Sequence, residues 1–164
     1  VYTLARSKPP TRNSEIVEGL EANYVCTTET PLEALAEQVG KADLIVDATG
    51  SSAMAFRAMG ALGHNGVLVW TSITGGTECA EIPTDKINID FVLGNKLLLG
   101  SVNANREHFE SGIKDMALAE VMYPGVIEKI LTNPVDGLDN YAEMMRLLVT
   151  EKTALKVYVN VADA

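Results

Sequence analysis

Asp43-Leu44-Ile45-Val46-Asp47-Ala48-Thr49-Gly50 is the stretch that decides the fold. Its centre is an unbroken apolar run of strand length, as a parallel strand buried on both faces requires. A small residue, a hydroxyl and a glycine follow at once. Ser51 or Ser52 can then cap a helix whose apolar positions are Met54, Ala55, Ala58, Met59 and Leu62. Strand, tight turn, helix is the repeating unit of a wound α/β sheet.

Working outward, the unit recurs. Upstream, 1–4 reads as a strand that ends in a turn kept out of helix by Pro9 and Pro10. A helix over 14–22 places Ile16, Val17 and Leu20 on one face, and 23–28 reads as a second strand. Thr30-Pro31-Leu32-Glu33 predicts a helix with Thr30 as N-cap, Pro31 in the first position and Glu33 closing a capping box. Its core stripe is Leu32, Leu35, Ala36 and Val39, and Gly40 ends it. Downstream, Gly63 and Gly66 turn the chain into a strand over 67–71. A loop containing Gly75 and Gly76 and a polar stretch over 83–90 lead to a short apolar segment at 91–93. The fifth strand covers 96–102. Strands and helices alternating from 1 to about 105 imply a doubly wound parallel sheet with helices on both faces, the Rossmann form of α/β fold. The rhythm then changes. A helix to about Val121 is expected to turn Phe109, Ile113, Met116 and Ala117 inward, and further helices cover 126–131 and 141–149. The alternating segment 155–161 suits an antiparallel sheet. Residues 1–150 therefore read as one wound α/β domain, and 151–164 as a terminal strand suited to a neighbouring domain.

Composition narrows the function. The chain has 164 residues, 47% hydrophobic and 21% charged, enough for one core. No apolar stretch approaches the ~20 residues of a membrane span. The first residues lack the order of a signal peptide, and Val1 in place of Met suggests that the natural start lies upstream. The net charge of −9 argues against nucleic acid as a partner. Cys26 and Cys79 stand far apart in no paired motif; a disulfide is open to them, but free thiols in a reducing cytoplasm are the favoured reading. Against this acidic background, residues 1–14 carry Arg6, Lys8 and Arg12 and no acid at all.

A doubly wound sheet takes its ligand at the carboxyl ends of its strands. A G-x-G-x-x-G turn between strand and helix is absent. Gly60, Gly63 and Gly66 follow a helix and precede a strand, so they read as a terminator and turn. The strand after such a turn ends in the residue that reads the adenosine ribose. If 1–4 is that strand, Arg6, Ser7 and Lys8 meet a 2′-phosphate with a planar fork, a hydroxyl and a point charge, and no carboxylate competes. The plain alternative is a solvated basic loop. Thr49 and Gly50 either let a cofactor pass over the sheet edge or simply turn into the capped helix. His64 and His108 have no partners at metal-ligand spacing, and no nucleophile elbow, P-loop or H-E-x-x-H is present.

These residues carry a resemblance. The strand and turn 43–50 resemble the fourth strand of medium-chain dehydrogenases. Gly94-Asn95-Lys96-Leu97-Leu98-Leu99-Gly100-Ser101-Val102-Asn103 followed by His108-Phe109 is similar to the archaeal-type glucose dehydrogenase branch of that zinc-dependent superfamily. Asn133-Pro134-Val135 and Leu155-Lys156-Val157 are similar to its common end. The resemblance implies strand order 3-2-1-4-5-6, with this chain starting at the second strand and lacking the first strand and glycine-rich turn. It implies a glucose (aldose) 1-dehydrogenase that moves hydride from sugar C1 to NADP, with NAD possible. Zinc and most sugar contacts would lie in a separate catalytic domain, so this chain would hold no catalytic residue and no metal and be inactive alone.

By the same resemblance Arg6 matches the first arginine of an N-R-R motif. Ala5 replaces the asparagine and Ser7 the second arginine, which Lys8 or Arg12 can offset; dual use of NADP and NAD stays open. Thr49 and Gly50 match the segment near the nicotinamide-side ribose, and Thr71, Ser72 and Ile73 the segment beside the nicotinamide. Val102 and Asn103 close the cofactor list, with Asn103 also at the sugar. Leu93 stands where some members have a sugar-contacting histidine. A homo-oligomer, dimer or tetramer, would pair through the strand at 97–102. The alternatives are an alcohol or polyol dehydrogenase of the same superfamily, and a non-catalytic nucleotide-sensing domain, which would carry an acid where Arg6 stands.

Overall fold

The computed structural model describes residues 1–151 and 153–161. Strands and helices alternate from β1 (Tyr2–Ala5), α1 (Arg12–Gly19), β2 (Asn23–Cys26), α2 (Leu32–Val39), β3 (Ala42–Asp47), α3 (Ser52–Ala61) and β4 (Leu62–Trp70) to α4 (Thr84–Gly94) and β5 (Leu97–Gly100). Then come α5 (Arg106–Met122), a 3₁₀ turn at Ile127–Ile130, β6 (Leu131–Asp136), α6 (Tyr141–Thr150) and β7 (Lys156–Asn160). The chain forms two compact units, one made of Leu4–Lys8 and Val25–Asn105, the other of Val1–Thr3, Pro9–Tyr24 and Arg106–Ala164.

In the first unit β3, β4 and β5 form a parallel sheet in that order. β1 pairs with β2 in a separate two-stranded sheet. These neighbours, 2 with 3 and 4-5-6, are those of the expected order. β4 starts earlier than the sequence suggests: Leu62 pairs with Ala42, the register then slips, and Val67 pairs with Leu44. The slip absorbs Gly63 to Gly66. A Cβ on Gly66 would lie 2.8 Å from Leu62 Cδ1 and 2.9 Å from the Gly63 carbonyl oxygen, so the bend needs glycine there. The core is Ala58 and Met59 of α3 against Leu62 and Leu68 of β4, with Ile45, Phe91 and Leu98 packed around it. Phe56 meets Trp70 edge-on, ring centroids 5.2 Å apart.

Only one face of β3 has that cover. Leu44 and Val46 are 61% and 58% exposed, where the sequence suggests burial on both sides. They point away from the α3 side, alternate to Ile45 and buried Asp47. α2 also starts differently. Pro31 is its N-cap and makes no side-chain cap; Thr30 N–H donates to Cys26 C=O in the preceding turn. Glu33 reaches instead for Arg57, Nε to Oε1 at 2.8 Å and Nη2 to Oε2 at 2.6 Å.

In the second unit, Thr11 and Ser14 form a reciprocal cap on α1, and Gly19 lets that helix approach Val126, 3.2 Å from where its Cβ would stand. The segment 126–131, expected as helix, is a single 3₁₀ turn that runs into β6. β7 pairs with β6 in parallel, not antiparallel as its alternation suggests. Phe109, Ile113 and Met116 of α5, expected inward, are exposed. Of the segment 151–164, residues 152 and 162–164 lie outside the described residues.

Candidate functional site

Asp47 ends β3 and is 5% exposed. A carboxylate in such a place needs donors, and two turns provide them. From its own turn, Thr49 donates its N–H at 3.3 Å and its hydroxyl at 2.8 Å to Oδ1. From the end of β4, Ser72 donates to Oδ2 at 3.5 Å. Ser72 Oγ in turn accepts from Gly50 N–H at 3.0 Å. The Asp47 carbonyl accepts from Thr71 twice, from its N–H at 3.0 Å and its hydroxyl at 2.9 Å. Four of the sequence-predicted residues, Thr49, Gly50, Thr71 and Ser72, thus form one network at adjacent strand ends, with Asp47 at its hub.

α3 starts from the same turn. Ser51 caps it, accepting from Met54 N–H, and Ser52 Oγ lies 2.6 Å from Thr74 Oγ1. Between these turns a small cleft of about 100 Å³ is lined by Asp47, Ser52, Phe56, Trp70, Ser72 and Thr74. Trp70 Nε1 is buried there without an acceptor among the described residues. Ile73 is exposed beyond Ser72. Val102 and Asn103 leave the next strand end, held level by Ser101 N–H donating to Trp70 C=O at 2.9 Å; both are exposed. The hub role of Asp47 is a residue the motif reading passed over. Its signal is an acid in the last position of a buried strand.

Arg6, Ser7 and Lys8 form the second candidate group, all exposed at the end of β1. The turn after β2 docks on them: Thr27 N–H donates to Ala5 C=O at 2.8 Å and the Cys26 thiol to Arg6 C=O at 3.4 Å. The Thr28 hydroxyl, 3.1 Å from Cys26 Sγ, lowers the thiol pKa. This docking corrects one expectation. A carboxylate does compete: Glu29 forms an ion pair with Lys8 and holds its ammonium above the usual lysine range, by hydrogen bond first and charge second. Arg6 has no carboxylate partner among the described residues. No group of three histidine, cysteine or acidic residues able to hold a metal occurs among them, and no helix among them is long and apolar enough to cross a membrane.

Parallel strands wound with helices, and hydroxyl-lined turns gathered at their carboxyl ends, define a Rossmann-type α/β domain. The chain belongs to the family described as Glucose dehydrogenase C-terminus, which it matches over residues 1–161. It is 36% identical over 155 residues to a glucose 1-dehydrogenase of Methanocella arvoryzae, covering 91% of this chain and 43% of that protein. The structure of Haloferax mediterranei glucose dehydrogenase in complex with NADP, zinc and gluconolactone superposes with a TM-score of 0.82 at 27% identity, over 99% of this chain and 43% of that one. An alcohol dehydrogenase from Thermotoga maritima shares the fold, with a TM-score of 0.76 at 20% identity. The chain spans less than half the length of these relatives.

Proposed function

We propose that this chain is the nucleotide-binding part of a glucose (aldose) 1-dehydrogenase that uses NADP and tolerates NAD. The observation that carries this reading is the pair of polar turns joined through Asp47 at the carboxyl ends of β3 and β4, where a doubly wound sheet takes its nucleotide. The residues present fit NADP. At one end Arg6, with no carboxylate partner among the described residues, offers its guanidinium to a 2′-phosphate, with Ser7 and Lys8 beside it. At the other, Gly50 has φ +66° and open space where a Cβ would stand, so a ribose can approach its backbone. Thr49 and Gly50 would hold that ribose, Thr71, Ser72 and Ile73 would serve the nicotinamide end, Val102 would add to the cofactor's binding, and Asn103 would serve cofactor and sugar alike. NADP, when bound, supplies the acceptor for the hydride that leaves sugar C1. What this chain does is hold and orient that acceptor. Zinc fits no cluster among the described residues, so in this reading it belongs with the catalytic part of the full-length protein.

Residues 1–150 serve as the nucleotide domain in this reading, and the segment from 151 on carries the chain back toward the catalytic part. The open edge of β7 in its two-stranded sheet supports that role. β5 is likewise an edge strand, available for pairing with a second copy in a dimer or tetramer. Two free thiols, Cys26 and Cys79, suit a cytoplasmic setting.

The test is kcat/KM for glucose in the full-length protein with NADP and with NAD, for wild type and Arg6→Ala. A charged hydrogen bond is worth about 1.5–3 kcal/mol, and the variant is expected to lose that much with NADP and almost nothing with NAD. Equal losses with both cofactors, or none, would remove the 2′-phosphate assignment. Faster turnover of simple alcohols or polyols than of glucose would move the substrate to another branch of the superfamily.

A further inference from the structure

We propose that Glu29 sets the cofactor preference of this site by holding Lys8 away from the 2′-phosphate. The inference rests on the reading of the Arg6–Lys8 loop as the phosphate end of the cofactor site. Its basis is geometric. Glu29 lies in the turn that follows β2, more than twenty residues from Lys8 in sequence, yet three contacts dock that turn on the Arg6 loop: Thr27 N–H and hydroxyl to Ala5 C=O, at 2.8 and 3.3 Å, and the Cys26 thiol to Arg6 C=O at 3.4 Å. The turn itself is fixed, because Glu29 and Thr30 both donate their N–H groups to Cys26 C=O, at 3.0 and 2.9 Å. Backbone geometry therefore brings Glu29 beside Lys8, where the two form an ion pair.

The consequence is electrostatic. The loop carries two cations, Arg6 and Lys8, and Glu29 cancels one of them. A 2′-phosphate must compete with Glu29 for Lys8 and also lie near a carboxylate of its own sign. A 2′-hydroxyl does neither: with NAD the Lys8–Glu29 pair stays closed and no like charge is brought near. Glu29 thus penalises NADP selectively and leaves NAD untouched, which moves the site toward dual use. Arg6, which no carboxylate among the described residues engages, keeps the residual preference for phosphate.

Glu29→Gln keeps the side chain's shape and removes its charge. Both Lys8 and Glu29 are largely exposed, so the variant is expected to fold. An exposed ion pair is a weak competitor, so the expected effect is a rise of about three- to tenfold in the NADP/NAD ratio of kcat/KM, carried by a lower KM for NADP. The rise should shrink at high salt, which screens charges at this range, and should vanish in a Lys8→Ala background. These are measured in the full-length protein beside Arg6→Ala. An unchanged ratio in Glu29→Gln, with Arg6→Ala still losing NADP selectively, would overturn the role of Glu29 and leave the phosphate site in place. No change of ratio in either variant would overturn both. A selective loss of NAD in Glu29→Gln would show Glu29 holding the ribose hydroxyl, which also overturns the proposal.

Discussion

Asp47 shows how one residue can serve both fold and site. Its backbone belongs to the sheet, pairing with Trp70 across to β4, while its carboxylate collects Thr49 and Ser72 from two different turns. A buried carboxylate left without donors would be costly, so the turns must stay where those donors are. Asp47→Ala removes the acceptor; Thr49 and Ser72 can turn partly to water, so the expected cost is about 1–3 kcal/mol, read as a shift of the urea midpoint. Asp47→Asn keeps the shape and one acceptor and should cost less. If both substitutions leave the midpoint unmoved, the backbone bonds from Thr71 to the Asp47 carbonyl hold the turns without the side chain. The hub role was half legible in the sequence. An acid at a strand end next to Thr49 and Gly50 is visible, but the partner Ser72 lies 25 residues on, and no local pattern announces it. Glu29 was hidden in the same way, because its meeting with Lys8 depends on β2 lying beside β1.

At the scale of elements, the strands of the wound sheet were readable because continuous apolar runs of strand length have few other homes. What escaped was decided by partners. Thr30 and Glu33 have the letters of a capping box, yet Thr30 N–H is already committed to Cys26 C=O and Glu33 finds a guanidinium on α3. β6 was missed because Pro134 sits inside it and proline weakens any strand reading; it is tolerated in a sheet of only two strands, where an edge can lack a donor. Lys96 gives a further case. It reads as the polar start of β5, but its side chain is 1% exposed and bridges the Leu62 carbonyl at 2.7 Å and Asp90 Oδ2 at 2.6 Å, tying β4 to the end of α4. Lys96→Met leaves that carbonyl without its donor, an expected cost of about 1–3 kcal/mol near neutral pH. The pH dependence follows from Asp90, whose pKa the Lys96 hydrogen bond depresses. Its contribution is complete above the ordinary carboxylate range and is lost as pH falls through the lowered value. Urea midpoints at pH 7 and pH 3 should therefore differ less in Lys96→Met than in wild type; an equal difference in the two would assign the acid sensitivity elsewhere. Gly66→Ala tests the slip in β4. A methyl group 2.8 Å from Leu62 Cδ1 forces that core side chain to move, at an expected cost of about 1–3 kcal/mol, and a silent substitution would show that the bend relaxes freely.

For the whole molecule, the distribution of exposed apolar side chains and the distribution of chemistry point the same way. Leu44 and Val46 on β3, Leu97 and Leu99 on β5, and Phe109, Ile113 and Met116 on α5 are all exposed. In the proposed reading the polar strand ends position a nicotinamide cofactor, and the groups that take the sugar's hydroxyl proton and polarise that hydroxyl belong to the rest of the full-length protein. The chain spans 43% of the glucose 1-dehydrogenase it matches. The 164-residue chain by itself is expected to give no detectable reduction of NADP with glucose, with or without added zinc, and to associate through its apolar faces in a concentration-dependent way visible by light scattering. The full-length protein should show turnover and lose that association. Turnover by the chain alone would mean that its own residues perform the proton transfer, and the Asp47 carboxylate would be the first place to look for the group responsible.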